Sequence, residues 1–504
     1  MIPDSRPILT CDEANRFETE LFAGDEAKEW RAMEHAGRAI AEAVLRDIQE
    51  IGGLPVDGRM LVLVGKGHNG GDALIAARTI LENSREARAE VVFAFGLRTL
   101  RPLAVRAWQI LAQRFGERTR VLSASEPSTD YELCLDGIFG FQFRPPVDAA
   151  VTALIERVNA LPIRCRVAVD LPSGGLFQAD FTYATGAVKT PALEGRMSGR
   201  LRYLDLGFFR NTTAGHQRVL TSDILKPLAG FRPPESDKRS QGHLFVIAGS
   251  KSFPGAVMMA VLAALRSGVG LVTAFIPESL VPAFAARVPE AIWVGWPETP
   301  EGGLALEGLH LFRERMERAT ALVIGPGISR EAETLALVKE LVKTAAVPVL
   351  LDADALQAEI IRAAKTPLIV TPHAGEFARI AGADTLEEYA AKTNLVVVLK
   401  GPLTRIAGGE SEIKEMESGS TKGSAAVYHS LFGGPVLARG GSGDILAGMI
   451  GGLLAQAPAD PLMAAAKGTV WHGIAADLLA RTHGQVAVNT TQLVDFLPAV
   501  LRSV

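Results

Sequence analysis

The chain has 504 residues, more than a single hydrophobic core usually holds, so we expect two or three domains. Hydrophobic residues make up 48% of the chain, and the net charge of −4 does not indicate nucleic acid or an anionic membrane as a partner. The cysteines, Cys11, Cys134 and Cys165, are widely spaced without a CxxC motif, which argues against a disulfide framework or a zinc site. No secretory signal is visible at the start, and every apolar run is interrupted before it could span a bilayer, so we predict a soluble, cytoplasmic protein.

The first half alternates short apolar runs with longer helical patterns, which is typical of a parallel α/β fold. Residues 32–49 have apolar positions at helical spacing, and 73–87 and 151–161 have the pattern of crossover helices. The strands predicted for this half are 60–65, 90–96, 131–137, 166–174 and 201–207.

The alternation lapses near 208–220 and again at 230–242, where a proline pair, mixed charges and glycine occur together. We therefore expect a boundary within about 210–240, and we predict one α/β domain over 1–214 and a second over 222–504. The strands predicted for the second domain are 243–250, 270–276, 321–327, 347–354, 367–373 and 395–401.

A glycine-rich loop, Gly65-Lys66-Gly67-His68-Asn69-Gly70, follows the first of these strands and precedes a helix. Its GxGxxG spacing matches a dinucleotide-binding loop, but the acidic residue that should end the second strand is missing, since that strand ends at 95–98 with Phe-Gly-Leu-Arg. The loop still places backbone N–H groups at a helix start, which suits a phosphate. This motif is therefore weak evidence for a redox cofactor.

Oxygen-bearing side chains accompany this loop and two later strand ends. Asn69 and Asp72 flank a glycine pair, Asp136 ends one predicted strand, and Asp170 and Ser173 end another. Because the carboxyl ends of parallel strands meet at one edge of a sheet, we expect these groups to lie close together, where they would suit a hard cation. Asp136 and Asp170 fit helix caps equally well, so the residues alone leave both interpretations open.

The segments GKGHNGGDA, LDGIFG, VAVDLPSG and GAVK, in this order, resemble the NAD(P)H-hydrate epimerase family over most of residues 1–210. The resemblance implies a Rossmann-like three-layer αβα sandwich. It also implies a potassium ion held by Asn69, Asp136 and Ser173, and acid–base catalysis by Asp170. The substrate-binding positions that it implies are His68, Asn69, Gly70, Gly71, Asp72, Gly140, Asp170 and Lys189.

The sequence departs from this family at the loop after Asp136. The family's Gly-Thr-Gly phosphate loop is replaced here by 139–144, Phe-Gly-Phe-Gln-Phe-Arg, and His68 and Ala73 replace an Asn and a Gly. A bulky residue thus takes the place of a glycine that would let backbone approach a phosphate, and we expect Arg144 to bind the substrate by supplying positive charge instead. We predict that this half is an epimerase and that the altered loop is the feature that would weaken its activity. The alternative is that this half is a non-catalytic binding module.

The segment ARGGSGDILAGMIGGLLA, at 438–455, is the sharpest functional signal in the chain. Its glycines allow an unusual backbone path, and a helix is predicted to begin near Asp444. The combination creates an anion hole of N–H groups at a helix start, with a carboxylate beside it. For the motif alone, an Asp that caps a helix after a glycine turn remains the simpler interpretation.

Together with LVIGPG, VLLDADAL, VTPHAGEF and VVLKGPLT, this segment resembles the ADP-dependent NAD(P)H-hydrate dehydratase family over roughly 235–500. The resemblance implies a ribokinase-like αβα domain. The residues that it implies for the hydrate are Ala256, Gly327, His373 and Asp444, with Asp444 as the catalytic base. Those that it implies for the adenine nucleotide are Lys400, Gly401, Pro402, Leu403, Thr404 and Gly443.

Individual residues of this second set have simpler interpretations. Taken singly, His373 fits a helix cap or a core position and Gly327 fits a turn. Asp352 and Asp354 are candidates for the site or for Mg²⁺, but they fit caps of the next helix equally well. Phe432 and Gly434 replace a Thr and an Asn that are usual in the family, and Arg439 fills a variable position before the glycine pair.

The two resemblances together imply repair of hydrated nicotinamide nucleotides. The R and S forms of NADHX and NADPHX would be interconverted, and the S form dehydrated with ADP as phosphoryl donor, yielding AMP and phosphate. K⁺ and Mg²⁺ are the implied ions. We expect neither nucleic acid nor a membrane as a partner, and we predict a homo-oligomer. A ribokinase-like vitamin-precursor kinase is the nearest alternative, and VTPHAGEF and LDADAL argue against it.

Overall fold

The computed structural model describes residues 1–127, 130–209, 215–408, 412–414, 421–423 and 425–504. The chain forms two compact units. The N-terminal unit comprises Arg6–Thr212 and Ala480–Gln485, and the C-terminal unit comprises Met1–Ser5, Thr213–Leu479 and Val486–Val504. The predicted end of the first domain, at 214, lies outside the described residues.

The N-terminal unit is built around a parallel sheet. Its strands are β1 (Ser5–Leu9), β2 (Arg59–Val64), β3 (Arg88–Phe93), β4 (Thr119–Leu122), β5 (Leu133–Gly137), β6 (Arg166–Val169), β7 (Phe181–Thr185), β8 (Val188–Lys189) and β9 (Arg200–Leu204). Its helices are α1 (Cys11–Phe22), α2 (Glu26–Asp47), α3 (His68–Asn83), α4 (Pro102–Phe115), α5 (Ala149–Ala160) and α6 (Thr190–Glu194). Seven strands form the sheet in the order β4-β3-β2-β5-β6-β7-β9, with every neighbouring pair parallel.

Strand β2 shows why this sheet needs helices on both faces. Met60, Val62 and Val64 pack into one core with residues of α2 and α3, whereas Leu61 and Leu63 pack into another with residues of α5. Successive strand residues point to opposite faces, so an unbroken apolar run requires a cover on each. The predicted three-layer α/β class is thereby confirmed for this unit.

The C-terminal unit is built around a larger, mixed sheet. Its strands are β10 (Gln217–Leu220), β11 (His243–Ile247), β12 (Leu271–Pro277), β13 (Ile292–Trp296), β14 (Ala321–Ile324), β15 (Val349–Leu351), β16 (Leu368–Val370), β17 (Val396–Leu399), β18 (Thr404–Ala407), β19 (Glu412–Lys414), β20 (Thr421–Gly423) and β21 (Val427–Ser430). Its helices are α7 (Pro254–Arg266), α8 (Val281–Arg287), α9 (Leu309–Arg313), α10 (Ala332–Thr344), α11 (Ala358–Ile361), α12 (Ala374–Ala381), α13 (Leu386–Thr393), α14 (Ser442–Gln456), α15 (Pro461–His483) and α16 (Leu493–Leu501).

In this unit the strands run β13-β12-β11-β14-β15-β16-β17-β18-β21-β10. Pairs from β13 to β17 are parallel, and β18 pairs antiparallel with both β17 and β21. Helix α14 packs very close to α7, and Gly448 makes this possible: a Cβ at this position would stand only 2.0 Å from the carbonyl oxygen of Ala260. This close approach brings the start of α14 beside the start of α7. Across the described residues, no helix combines the length and apolarity needed to cross a membrane.

Two candidate active sites

The first candidate site is a cavity of about 310 Å³ at the carboxyl edge of the N-terminal unit's sheet. Six of the positions expected to bind the epimerase substrate line it: His68, Asn69, Asp72, Gly140, Asp170 and Lys189. Gly70 and Gly71 are buried in the first turn of α3, and a Cβ at Gly70 would meet the Gly65 carbonyl oxygen at 2.4 Å. These two glycines therefore allow the loop to pack tightly below the cavity floor.

Asp170 and Lys189 form a buried ion pair at the cavity wall. Asp170 directly follows β6 in the left-handed region, with φ 67°, which is unusual for a residue other than glycine and typical of functional sites. Lys189 donates from Nζ to Asp170 Oδ1 at 2.6 Å and to the Thr185 carbonyl oxygen at 3.1 Å. Asp170 Oδ2 is buried and has no hydrogen-bond partner among the described residues. One carboxylate oxygen is thus positioned and the other is available to a ligand.

Asp136 and Ser173 lie in the core below the same sheet edge. Ser173 donates to Asp136 twice, from Oγ to Oδ1 at 2.6 Å and from its backbone N–H to Oδ2 at 2.8 Å. Burial raises the pKa of Asp136 to about 6, although these bonds and that from the Ile138 N–H lower it. Asn69 Nδ2 is 3.2 Å from the Phe139 carbonyl oxygen and 2.8 Å from that of Val169. The Asn69 amide nitrogen thus donates to two backbone carbonyl oxygens, and Phe139 connects it to Ser173, whose Oγ accepts from the Phe139 N–H at 2.9 Å.

The loop that replaces the family's phosphate loop lines the cavity with residues 139–143, three of which are phenylalanines, but its arginine does not reach the cavity. Phe139 stacks on Phe143 with ring centroids 4.1 Å apart. Arg144 does not line the cavity; it donates to Asp12 Oδ1 at 2.7 Å and to the Phe141 and Phe143 carbonyl oxygens. The positive charge expected from Arg144 is thus already paired at the surface.

Sequence reasoning missed other residues of this cavity. The Lys66 and Arg101 side chains line it, and neither forms an ion pair with any residue the structure describes. Glu18 reaches it from α1, a helix that we did not predict. Lys66 could have been identified, because it lies within the glycine-rich loop. Arg101 and Glu18 belong to no recognisable motif.

The second candidate site lies at the carboxyl edge of the C-terminal unit's sheet. Five parallel strands end there, and each is followed by one residue of interest. These residues are Ala256 after β11, Gly327 after β14, Asp352 after β15, His373 after β16 and Lys400 after β17.

Gly327 and Ala256 touch across this edge. Gly327 has φ +66°, and a Cβ there would stand 2.6 Å from the Phe253 carbonyl oxygen and 2.8 Å from the Ala256 Cβ. Ser250 donates from Oγ to the Gly327 carbonyl oxygen at 2.8 Å, which holds the turn. Gly327 is therefore a turn residue, as the simpler interpretation of the sequence predicted. The turn packs directly against the start of α7.

His373 is the N-cap of α12. Its Nδ1 accepts from the Gly375 N–H at 3.0 Å, and the Glu376 carboxylate accepts from the His373 N–H at 2.8 Å. Since Nδ1 acts as an acceptor, the proton of a neutral ring sits on Nε2. The cap interpretation is confirmed. The side chain is exposed, and its Nε2 lies 3.5 Å from Glu376 Oε1, long enough for the Nε2–H to donate to a ligand instead.

Lys400 connects the nucleotide motif to the catalytic motif. It donates from Nζ to Asp352 Oδ1 at 2.8 Å, and a Cβ at Gly443 would stand 3.2 Å from that nitrogen. The turn that follows Lys400 consists of Gly401, Pro402 and Leu403, and Thr404 begins β18. Asp354 pairs instead with Arg330 at 2.7 Å.

Asp444 lies in the first turn of α14, whose N-cap is Gly441 with φ 90°. The aspartate is therefore not the helix cap. Its pKa is raised to about 6, mainly by burial and then by the negative charge of Asp352, while Lys400 lowers it. A half-buried carboxylate with this pKa is ionised at neutral pH and can accept a proton. Of the described residues, no three His, Cys, Asp or Glu side chains form a metal-binding group.

Comparison with known proteins covers both units. A family described as NAD(P)H-hydrate dehydratase matches residues 244–499, and one described as YjeF-related protein N-terminus matches 30–197. The Bifunctional NAD(P)H-hydrate repair enzyme Nnr of Moorella thermoacetica is 34% identical over 94% of this chain and 92% of that protein. The protein of the same name from Gloeobacter violaceus is 35% identical over 96% of each.

This chain belongs to the bifunctional NAD(P)H-hydrate repair enzyme family. A shorter relative, the ADP-dependent (S)-NAD(P)H-hydrate dehydratase of Xanthomonas campestris pv. campestris, is 34% identical over 57% of this chain and 98% of that protein. The repair family thus combines two parts, one of which also occurs as a separate protein. Membership in this family favours hydrate repair over a general small-molecule kinase.

Proposed function

We propose that this chain epimerises the R and S forms of NADHX and NADPHX in a domain spanning 1–214, and dehydrates the S form in a domain spanning 222–504 with ADP as phosphoryl donor. The observation that carries the proposal is a pair of carboxylates, Asp170 and Asp444, each held at the carboxyl edge of its own α/β sheet. In open α/β folds, ligands bind at this edge.

In the epimerase site, the hydrated ring would occupy the cavity beside Asp170. Its C6 carries a hydroxyl next to the ring nitrogen, whose lone pair helps the hydroxyl leave. Lys189 holds Asp170 Oδ1, so Oδ2 is the atom that exchanges a proton with the C6 oxygen. Asn69, Asp72, His68 and Gly140 would surround the ring and its ribose. We propose Lys66 and Arg101, rather than Arg144, as the cations that face the phosphate.

We propose that the oxygen-bearing side chains below this site hold a potassium ion. Asp136 is fully buried, and within the described residues it has no cationic partner. A hard monovalent cation there would offset the cost of burying that charge. We propose Asn69, Asp136 and Ser173 as ligands, with the Phe139 and Val169 carbonyl oxygens close by. The bound ion would fix the loop that carries Asn69 against the strand end that carries Asp170.

In the dehydratase site, Asp444 would take the proton of the C6 hydroxyl as that oxygen attacks the β-phosphoryl group of ADP. AMP is released in this transfer. Phosphate then leaves C6 with the help of the ring nitrogen, and loss of a proton from C5 forms the C5=C6 bond that restores the dihydronicotinamide. Backbone N–H groups at the start of α14, including that of Gly443, would stabilise the transferring group. Ala256, Gly327 and the exposed Nε2–H of His373 would position the hydrate.

Lys400 to Thr404 would line the adenine nucleotide in this proposal. Lys400 is held by Asp352, so its ammonium group has a set position when the phosphates arrive. Mg²⁺ usually binds one or two carboxylates together with substrate phosphates, and we propose that it enters with the nucleotide. Asp352 and Asp354 are the candidate carboxylates, and each already holds a cationic side chain. A cytoplasmic homo-oligomer completes the proposal.

The test is recovery of dihydronicotinamide absorbance from a mixed R and S hydrate, with ADP or ATP, Mg²⁺ and K⁺ present. A separate dehydratase without an epimerase supplies the spontaneous epimerisation rate. We expect both isomers to be consumed faster than that rate allows. Consumption of the S isomer alone would leave the N-terminal unit as a non-catalytic module. No conversion with either nucleotide would refute the proposal and favour a vitamin-precursor kinase.

A further inference from the structure

The cavity of the N-terminal unit collects more carboxyl groups than one base requires. Glu18, Asp72 and Asp170 all line it, and Lys189 is the cation that pairs with Asp170. Asp72 and Asp170 are more than nine-tenths buried, and each has one oxygen, Asp72 Oδ1 and Asp170 Oδ2, without a hydrogen-bond partner in the described part of the chain. Unpartnered buried oxygens are costly, so a polar ligand is expected between them.

Glu18 approaches the same cavity from a different element. It lies on α1, whereas Asp170 follows β6 and Asp72 is in the first turn of α3. The Glu18 carboxyl forms no hydrogen bond or ion pair with residues the structure describes. Its packing is therefore not explained by a structural partner.

The reaction itself calls for two proton-transfer groups. When the C6–O bond breaks, the departing hydroxyl must receive a proton and leave as water, with the ring nitrogen supplying electrons to form an N1=C6 iminium. When water then attacks C6 from the other face, a new C6–O bond forms and the extra proton must go to a base. One acid and one base, on opposite faces, complete the inversion with no net change in protons.

We propose that Glu18 is a catalytic residue of the epimerase, exchanging a proton with the C6 oxygen on the ring face opposite to that served by Asp170. This inference rests on the proposed epimerase function. In one direction Glu18 would donate and Asp170 accept, and in the other direction the roles reverse. Because the active pair carries one proton in both cases, both directions share one pH profile.

Protonation behaviour favours Glu18 over Asp72 for this role. The pKa of Glu18 is raised to about 7, mainly by burial, against the lowering effect of Lys189 and with smaller raising contributions from the charges of Asp170 and Glu29. The pKa of Asp72 is raised well above its usual range by burial, then by the charges of Asp170 and Glu18. A group that must both give and take a proton works best with a pKa near the working pH, and Glu18 meets this condition.

The test compares Glu18→Gln and Glu18→Asp with Glu20→Gln, a control on the same helix whose side chain does not line the cavity. Purified R hydrate is incubated with the full chain and K⁺ but without nucleotide, and the isomers are separated over time. We expect Glu18→Gln to lower kcat about 100-fold or more with little change in KM. Glu18→Asp should retain more activity, and Glu20→Gln should match the wild type.

The pH profile provides the second readout. The wild-type rate should fall above about pH 7, as the last proton of the pair is lost, and Glu18→Gln should remove this alkaline limb. Unchanged melting temperature and dehydration rate would show that the variant is folded. A Glu18→Gln rate within threefold of wild type, or a change in KM alone, would overturn the inference and leave the epimerase standing. A wild type no faster than the spontaneous rate would refute the proposed epimerase and the inference with it.

Discussion

Asp170 and Asp444 are carboxylates at the carboxyl edges of the parallel strands in their own sheets, but their surroundings differ. Asp170 is almost fully buried in an ion pair with Lys189. Asp444 is half-buried and pairs with none of the described cations, because the nearby Lys400 is held by Asp352. The first site therefore contains its own counter-charge. In the second, the pKa of Asp444 is raised, and the start of α14 can bind an anion. We infer that the first suits a small hydrated ring, and the second a phosphoryl group in transfer.

Replacing Asp444 should give the largest effect. Asp444→Asn keeps the size of the side chain but removes the base, so dehydration should slow by about 10²–10⁴-fold. Epimerisation should be unchanged, because that reaction is assigned to the other unit. Both rates can be followed on one preparation, by dihydronicotinamide absorbance and by isomer separation. A dehydration rate within a factor of ten of wild type would contradict the assignment.

Breaking the buried ion pair should cost both activity and stability. Asp170→Ala leaves the Lys189 ammonium buried without its partner, which we expect to destabilise the N-terminal unit by about 3–5 kcal/mol and to abolish epimerisation. Urea unfolding measures the first effect. The double variant Asp170→Asn with Lys189→Met should regain much of the stability and none of the activity. Recovery of epimerisation in that double variant would show that the Asp170–Lys189 ion pair only stabilises the fold and takes no part in catalysis.

Gly327 tests how closely the hydrate site depends on backbone geometry. Gly327→Ala adds a Cβ at positive φ only 2.6 Å from a carbonyl oxygen, so the turn must move away from Ala256. Gly382→Ala is the matched control, since Gly382 has φ +65° but no atom within 4 Å of the added Cβ. We expect about 1–3 kcal/mol of destabilisation in the control, and a greater loss together with a raised KM for the hydrate in Gly327→Ala. Equal KM values in the two variants would contradict the proposed contact.

The smallest effect is a shift in pH dependence. Dehydration should fall as the pH drops through about 6, where Asp444 gains a proton and can no longer accept one. Asp352→Asn removes a negative charge that raises this pKa and frees Lys400, so the acid limb should move to lower pH. Asp354→Asn is the control, because Asp354 pairs with Arg330 instead. An acid limb that stays at the same pH in Asp352→Asn would show that Asp444 is not the group observed.

Much of the sheet architecture could be predicted from the sequence because continuous apolar runs mark strands that are buried on both faces. Strands such as β2 and β11 were found in this way. The edge strand β4, which reads TRVL and exposes two of its residues, lacked that pattern and was missed. Strand β18 was missed because its alternation is short and follows a turn.

For the sites, residues at strand ends were predictable because the topology of a parallel sheet brings such ends together. Asp170 and Asp444 were identified from motifs, and the structure adds their different neighbours. The orientation of Arg144 toward Asp12 could not be foreseen, since it depends on how α1 packs beside the loop. The place of Glu18 in the cavity depends on the same packing.

The most direct measurement of the central claim mixes two single-site variants. Asp170→Asn and Asp444→Asn would each be added alone and then together to a mixed R and S hydrate with ADP, Mg²⁺ and K⁺. The account predicts that Asp170→Asn alone consumes only the S isomer above the spontaneous rate and that Asp444→Asn alone restores no dihydronicotinamide. The two together should consume both isomers. A mixture that consumes no more than Asp170→Asn alone would contradict the assignment of two separate reactions to these carboxylates.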